Sequence, residues 1–390
     1  AHLHIFEMRF LSATTIHPVS SPALSGYVLV ISDDGTIEDL LPESVVDPTH
    51  VEFFEGDLIP GFVNAHCHLE LSHLRGSFPE KTGLPDFLNK VVSQRQADPD
   101  AVAEAMRFAD SEMWENGIMA VGDICNKSDS FSVKADSRIH YHSFVELLAF
   151  DPDRAVKALA EGNSLLEQLN QFGLTGSLVP HAPYSVSPAL VFLITRQCAD
   201  AGLPTSIHML ESNDETEFFV QGTGLYRRLY HDMGMAIDFF EPSGKTSLET
   251  LLPWFHPMAK TLLVHNTIAT EQDVFSAVSQ HTNLWWCFCP NANLYIEDRL
   301  PDMPQLLRTM PPGRITLGTD SLASNHQLSI WQEMLAIMEA FPEISLETIL
   351  PWATLNGARF LGLEQTLGSL ETGKRPGILH LHQDTIGRIC

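Results

Sequence analysis

The sequence predicts an α/β chain: a distorted (β/α)8 TIM barrel with a small β-sandwich domain formed by both chain ends. Three observations predict it. Eight short apolar runs alternate with helical stretches between residues 57 and 365. Several of those runs stop at His, Asp or Glu, where barrel strands carry their chemistry. Period-two β patterns lie outside the barrel at both ends of the chain.

The N-terminal segment reads as a hairpin. Tyr27, Leu29 and Ile31 alternate, and Asp33-Asp34-Gly35 forms a turn before Ile37. The barrel strand candidates are Asp57–His68, Ile118–Ile124, Ile139–Leu148, Leu174–Ala182, Pro204–Glu211, Thr261–Asn266, Leu284–Cys289 and Arg314–Asp320. Their centres are strongly apolar, as strands buried on both faces must be. Between them, Ala155, Leu159, Leu166 and Leu169 share one helical face, with Pro152 in the first turn and Gly173 as the stop. Another helix runs over Pro188–Ala201 and ends at Gly202; a last one is expected near Ser345–Leu361. After Gly368–Lys374 the strand Gly377–His382 has no barrel position left, so it is expected to pair with the N-terminal segment. The expected domains are therefore 1–56 plus 366–390, and 57–365.

With 390 residues, of which 44% are hydrophobic and 18% charged, the chain has material for a large core and no disorder signature. Its formal net charge of −26 repels phosphate backbones and anionic lipid, which argues against nucleic acid or a membrane surface as partner. No apolar run reaches the roughly 18 residues of a membrane span. Ala1-His2-Leu3-His4 opens with neither a basic region nor an apolar signal core, so no leader is expected. The cysteines at 67, 125, 198, 287, 289 and 390 form no C-x-x-C pair, which fits free thiols in a reducing cytoplasm. A homodimer is the base-rate expectation for assembly.

The strand ends carry the chemistry. The first closes with His66-Cys67-His68, and residues two apart on a strand share a face. The fourth ends in His181, the fifth in His208 followed by Glu211, the sixth in His265, the eighth in Asp320. Three imidazoles and a carboxylate at one barrel mouth form a nitrogen/oxygen site for a divalent transition metal. Such an ion lowers the pKa of a bound water. His66, His68, His208 and Asp320 are the candidate ligands. His265 is read as supporting a ligand from behind or orienting the water, and His181 as a substrate contact.

H-x-H alone is weak, since it occurs four times, at His2/His4, His66/His68, His140/His142 and His380/His382. Only His66/His68 closes a barrel strand. Asp320 also suits a helix cap. Glu146 reads as a core-edge carboxylate, and Cys287, Cys289, Trp285 and Trp286 as barrel packing. Glu70 either faces substrate or is a solvated loop acid. His68-Leu69-Glu70 matches the H-x-E half of a cytidine-deaminase zinc site, but the P-C-x-x-C half is absent.

Taken together, Pro60–His68, Arg75-Gly76, Pro180–Ser187, His208 with Glu211, Val264-His265-Asn266, Pro290–Asn293, Gly318–Asn325 and Gly368–Gly377 resemble the amidohydrolase superfamily, in its cytosine deaminase/adenosine-analogue deaminase branch. The resemblance covers nearly the whole chain. It implies one divalent metal, Zn2+ or Fe2+, held by His66, His68, His208 and Asp320, with Glu211 as proton shuttle and His265 orienting a hydroxide. It implies hydrolytic deamination of a purine nucleoside at C6, in which Asp320 also takes the water's proton. Pro180–Tyr184 resembles methylthioadenosine/S-adenosylhomocysteine deaminases, where the His contacts the nucleoside. Those proteins carry a Met-Ser/Thr segment before Arg-Gly; Leu69–Leu74 departs from it, and H-x-H-x-E is more similar to the aminodeoxyfutalosine deaminases of menaquinone biosynthesis. Cleavage of a ring amide of imidazolone type is a further expectation from the superfamily. A metal-free interaction barrel should have lost its ligands, and here each is present.

Overall fold

The computed structural model describes residues 8–390; the pair His2/His4 lies outside them. Four N-terminal strands, β1 (Arg9–Ile16), β2 (Tyr27–Ile31), β3 (Ile37–Pro42) and β4 (Val51–Pro60), precede the barrel strands. These are β5 (Phe62–Cys67), β6 (Ile118–Cys125), β7 (His140–Leu147), β8 (Thr175–Pro180), β9 (Pro204–Met209), β10 (Lys260–His265), β11 (Leu284–Phe288) and β12 (Ile315–Leu317). The last strands are β13 (Ile378–His382) and β14 (Thr385–Arg388).

The chain ends meet in one six-stranded sheet, ordered β14-β13-β4-β1-β2-β3. Both chain ends contribute to this small domain, as expected. The hairpin turn forms as its sequence asks: Gly35 takes φ +83° and its N–H donates to Ser32 O. The return strand pairs antiparallel with β4, Ile378 opposite Pro60.

The apolar run Asp57–His68 divides. Its first residues stay with β4 in the small sheet, and only Phe62–Cys67 enters the barrel. Gly61 is the pivot: a Cβ there would stand 2.3 Å from Met119 Cγ and 2.6 Å from Pro376 O. The helix expected over Ser345–Leu361 likewise divides into Leu346–Ala353 and Leu355–Leu361. Pro351 lacks the N–H that a continuous helix needs, and the chain turns at Thr354. The helix Pro188–Ala201 forms as expected, capped by the Ser187 side chain and ended by Gly202 in the left-handed region.

The eight parallel strands lie in two sheets, β5-β6-β7-β8 and β9-β10-β11-β12. At one seam His208 N–H donates to His181 O at 3.0 Å. At the other, Thr319 and Asp320 N–H both donate to His66 O, at 3.0 and 3.1 Å. Both seams thus fall on residues of the site. Val63, Ala65, Phe144, Val179, Val264, Trp285 and Cys287 fill one buried cluster, and all six cysteines are free. No helix among the described residues is long and apolar enough to cross a membrane.

Candidate active site

His66 and His68 leave β5 on one face, with their Nε2 atoms 3.1 Å apart. His208 Nε2 stands 3.3 Å from His68 Nε2. Asp320 Oδ1 lies 3.5 Å from His66 Nε2 and 3.4 Å from His68 Nε2. Four donor atoms from the ends of β5 and β9 and the segment after β12 therefore face one centre.

Neighbouring groups fix each donor. His208 Nδ1–H donates to His181 O at 2.7 Å, which leaves Nε2 as a lone-pair donor. Ser324 Oγ donates to Asp320 Oδ2 at 2.7 Å and leaves Oδ1 facing the histidines. Asn64 Nδ2 donates to Thr319 Oγ1 at 2.7 Å, and its Oδ1 accepts from Thr319 N at 3.1 Å. Asp123 Oδ1 takes the N–H of Leu69, the residue after His68, at 2.7 Å. Asp320 itself has φ +56°, a conformation uncommon outside glycine.

Burial holds the His68 imidazole neutral, its pKa down to about 4, and lowers His208 well below the usual range. Burial alone would raise the Asp320 carboxyl; a hydrogen bond from His66 and the imidazoles of His68 and His265 hold it below the ordinary carboxylate range instead. Neutral imidazoles and an ionised carboxylate, their lone pairs converging in a buried space, fit one divalent cation. Glu146, His181 and His208 also approach one another within 4.8 Å. His208 Nδ1 is already committed to His181 O, so this second cluster lacks one of its donors.

Beside the four donors lie His265 and Glu211. His265 ends β10 at φ +79°. Its Nδ1 lies 3.0 Å from Asn293 Oδ1 and its Nε2 lies 3.4 Å from Glu211 Oε1. Burial keeps the ring neutral, with its pKa near 4. Glu211 is 5% exposed, and burial, then the charges of Asp320, Glu215 and Glu297, push its carboxyl well above the usual range. Glu215 fixes the turn that carries it, accepting N–H from Leu210 at 3.1 Å and Glu211 at 3.2 Å. The site thus places a carboxyl of raised pKa and a neutral imidazole beside the four donors.

His68, His208, Glu211, His265 and Asp320 line a cavity of about 130 Å3, together with Arg95, Asn126, Glu146, His181 and Ser321. His181 Nδ1 lies 2.6 Å from Ser185 Oγ, so its other nitrogen is left for the cavity. Glu70 is not in the wall. Its carboxylate accepts N–H from Asn126 at 3.1 Å and Lys127 at 3.2 Å, anchoring the loop after β6, and it borders a separate hollow. An apolar hollow of about 310 Å3 adjoins the cavity and shares Leu88, Val92, Leu148, His181 and Tyr184 with it; Phe150, Tyr230 and Ile237 form its far side.

Of the other H-x-H pairs, His142 bonds Ser177 Oγ near the strand starts and His380 bonds Glu55 O in the small sheet. Sequence reading gave no role to Asn293, Ser324 and Glu333, which hold the site residues from behind; the first two lie in stretches that carry the family resemblance. Glu333 is fully buried and accepts from Asn325 Nδ2 at 2.8 Å and Asn291 N at 2.9 Å, tying the segments that carry Asp320 and Asn293.

An α/β barrel with an auxiliary sheet thus brings together, at its strand ends, a His/Asp group that could hold a metal ion. The amidohydrolase family model matches residues 58–383, and the chain belongs to this family, a hydrolase acting on C–N bonds. It is 29% identical over 333 residues to an adenosine deaminase of Helicobacter pylori, covering 83% of this chain and 78% of that one. The structure of H. pylori aminofutalosine deaminase with methylthio-coformycin superposes with a TM-score of 0.81 at 24% identity, over 96% of this chain and 93% of the other. An adenosine deaminase from Xanthomonas campestris with bound zinc gives 0.69 at 23% identity, over 95% and 83%.

Proposed function

We propose that the chain deaminates an adenine nucleoside hydrolytically, that its own substrate is 6-amino-6-deoxyfutalosine, and that it serves menaquinone biosynthesis in the cytoplasm. His66, His68, His208 and Asp320 would hold one zinc or iron(II) ion. When bound, that ion supplies Lewis acidity that eases ionisation of water near neutral pH.

One observation carries the reading: the Glu211 carboxyl, its pKa raised by burial, stands 3.4 Å from His265 beside the four-donor centre. A protonated Glu211 carboxyl would donate to ring N1 as water adds at C6; the carboxylate left behind then takes the proton of the hydroxyl now on C6 and passes it to the departing ammonia as the C–N bond breaks. His265, its Nε2 unprotonated, orients the attacking water. Asp320 accepts the first proton of that water, and this proton returns to Glu211 to close the cycle. His181 borders both the cavity and the apolar hollow, at the place a sugar would cross between them. The hollow suits a nucleoside with a bulky 5′ substituent. The adenosine deaminase of H. pylori supports the chemistry.

Methylthioadenosine, S-adenosylhomocysteine or adenosine is the second reading, favoured by the stretch Pro180–Tyr184.

The test is a panel of 6-amino purine nucleosides, followed by loss of adenine absorbance and release of ammonia. Aminodeoxyfutalosine should exceed adenosine in kcat/KM by at least about tenfold, or about 1.4 kcal/mol. Equal rates on free cytosine or guanine would overturn the nucleoside reading.

A further inference from the structure

Glu146 ends β7 in the cavity wall and is 7% exposed. Its Oε2 accepts from Asn126 Nδ2 at 2.9 Å, which fixes the carboxylate plane. Its Oε1 is buried and has no hydrogen-bond partner. The nearest cationic candidate, His208 Nδ1, is 3.8 Å away and already donates to His181 O. Arg95 reaches Asn126 Oδ1 at 3.4 Å rather than Glu146. A buried carboxylate oxygen without a donor is costly, and such atoms are commonly completed by a ligand or an ordered water.

We propose that Glu146 is a substrate-binding residue whose free oxygen accepts a hydrogen bond from a ribose hydroxyl. The inference rests on the deaminase reading. An adenine nucleoside offers few donors. Its exocyclic amine must lie with Glu211 and the four-donor centre, where the C–N bond breaks. A 5′-substituted sugar carries no 5′ hydroxyl. The 2′ and 3′ hydroxyls remain. Glu146 stands between His208 on the metal side and Leu148, two residues on, which lines both the cavity and the apolar hollow. A sugar linking a base at the metal to a substituent in the hollow passes this carboxylate.

The test compares adenosine with 2′-deoxyadenosine and 3′-deoxyadenosine on wild type, Glu146→Gln and Glu146→Ala, with metal content and unfolding midpoint measured on each. Hydrogen bonds to charged groups are the strong ones. Wild type should therefore lose about tenfold or more in kcat/KM, chiefly through KM, when one hydroxyl is removed. In Glu146→Ala that preference should collapse to within about threefold. Glu146→Gln retains an accepting oxygen and should fall between. Either variant keeping the full wild-type preference would overturn the proposal. If wild type deaminates neither these three nor aminodeoxyfutalosine, the deaminase reading fails by itself. Calorimetric binding of the same nucleosides to metal-loaded protein then decides: a hydroxyl preference lost in Glu146→Ala upholds the contact, and equal binding overturns it.

Discussion

His265 Nδ1 lies 3.0 Å from Asn293 Oδ1, an oxygen that can only accept. The proton of the neutral ring is therefore on Nδ1, and Nε2 turns its lone pair toward Glu211. Asn293→Ala removes the group that sets this tautomer. By analogy with other groups that orient site histidines, kcat should fall about 10–100-fold while metal content is unchanged. An unaltered kcat would show that His265 needs no such support.

The Lys134–Asp123 ion pair, 2.6 Å long and fully buried, supports the other side of the site through the Asp123 bond to Leu69 N. Lys134→Met strands a buried carboxylate and should cost about 3–5 kcal/mol in urea unfolding. The double variant Asp123→Asn/Lys134→Met should cost less than the single one. Additive losses would remove the ion-pair account.

Glu333 gives a pH-dependent prediction. Burial, against hydrogen bonds from Asn291 and Asn325, lifts its pKa to about 8. The folded chain then holds a proton that the unfolded chain releases near the ordinary value of 4.5. Stability from this group is present below that value and is lost as pH rises toward about 8. The stability gap between wild type and Glu333→Gln should therefore shift in the variant's favour from about pH 5 to about pH 8, measured by denaturant unfolding. A gap independent of pH would contradict the raised pKa.

What the sequence made legible follows from locality. His66 and His68 stood out because period-two spacing at the end of an apolar run puts both on one face. His208 and Glu211 stood out for the same reason of position. Asn293 did not, because its importance lies in a contact with a residue 28 positions away. Glu146 sits in an apolar run and reads as core edge; only the fold shows that one of its oxygens has no partner. Glu70 carried a suggestive spacing, yet its carboxylate turns to the backbone of Asn126 and Lys127. The break at Gly61 was hidden because apolar residues continue on both sides, and the crowding comes from Met119 and Pro376.

The ligand set predicts its own pattern. Purified protein should hold close to one zinc or iron ion per chain, and His66→Ala or Asp320→Ala should lose metal and activity together, since four ligands complete such a centre. Full metal occupancy in both variants would remove the assignment.

The central claim is that Glu211 moves protons without holding the metal. Glu211→Gln keeps the size and hydrogen bonding of the side chain but cannot cycle a proton. Metal content, unfolding midpoint and kcat are to be measured on one preparation of this variant. The account predicts wild-type metal and stability with kcat lowered by about 10²–10⁴-fold. Loss of the metal would make Glu211 a ligand, and retention of both metal and near-normal kcat would place the proton shuttle on another residue.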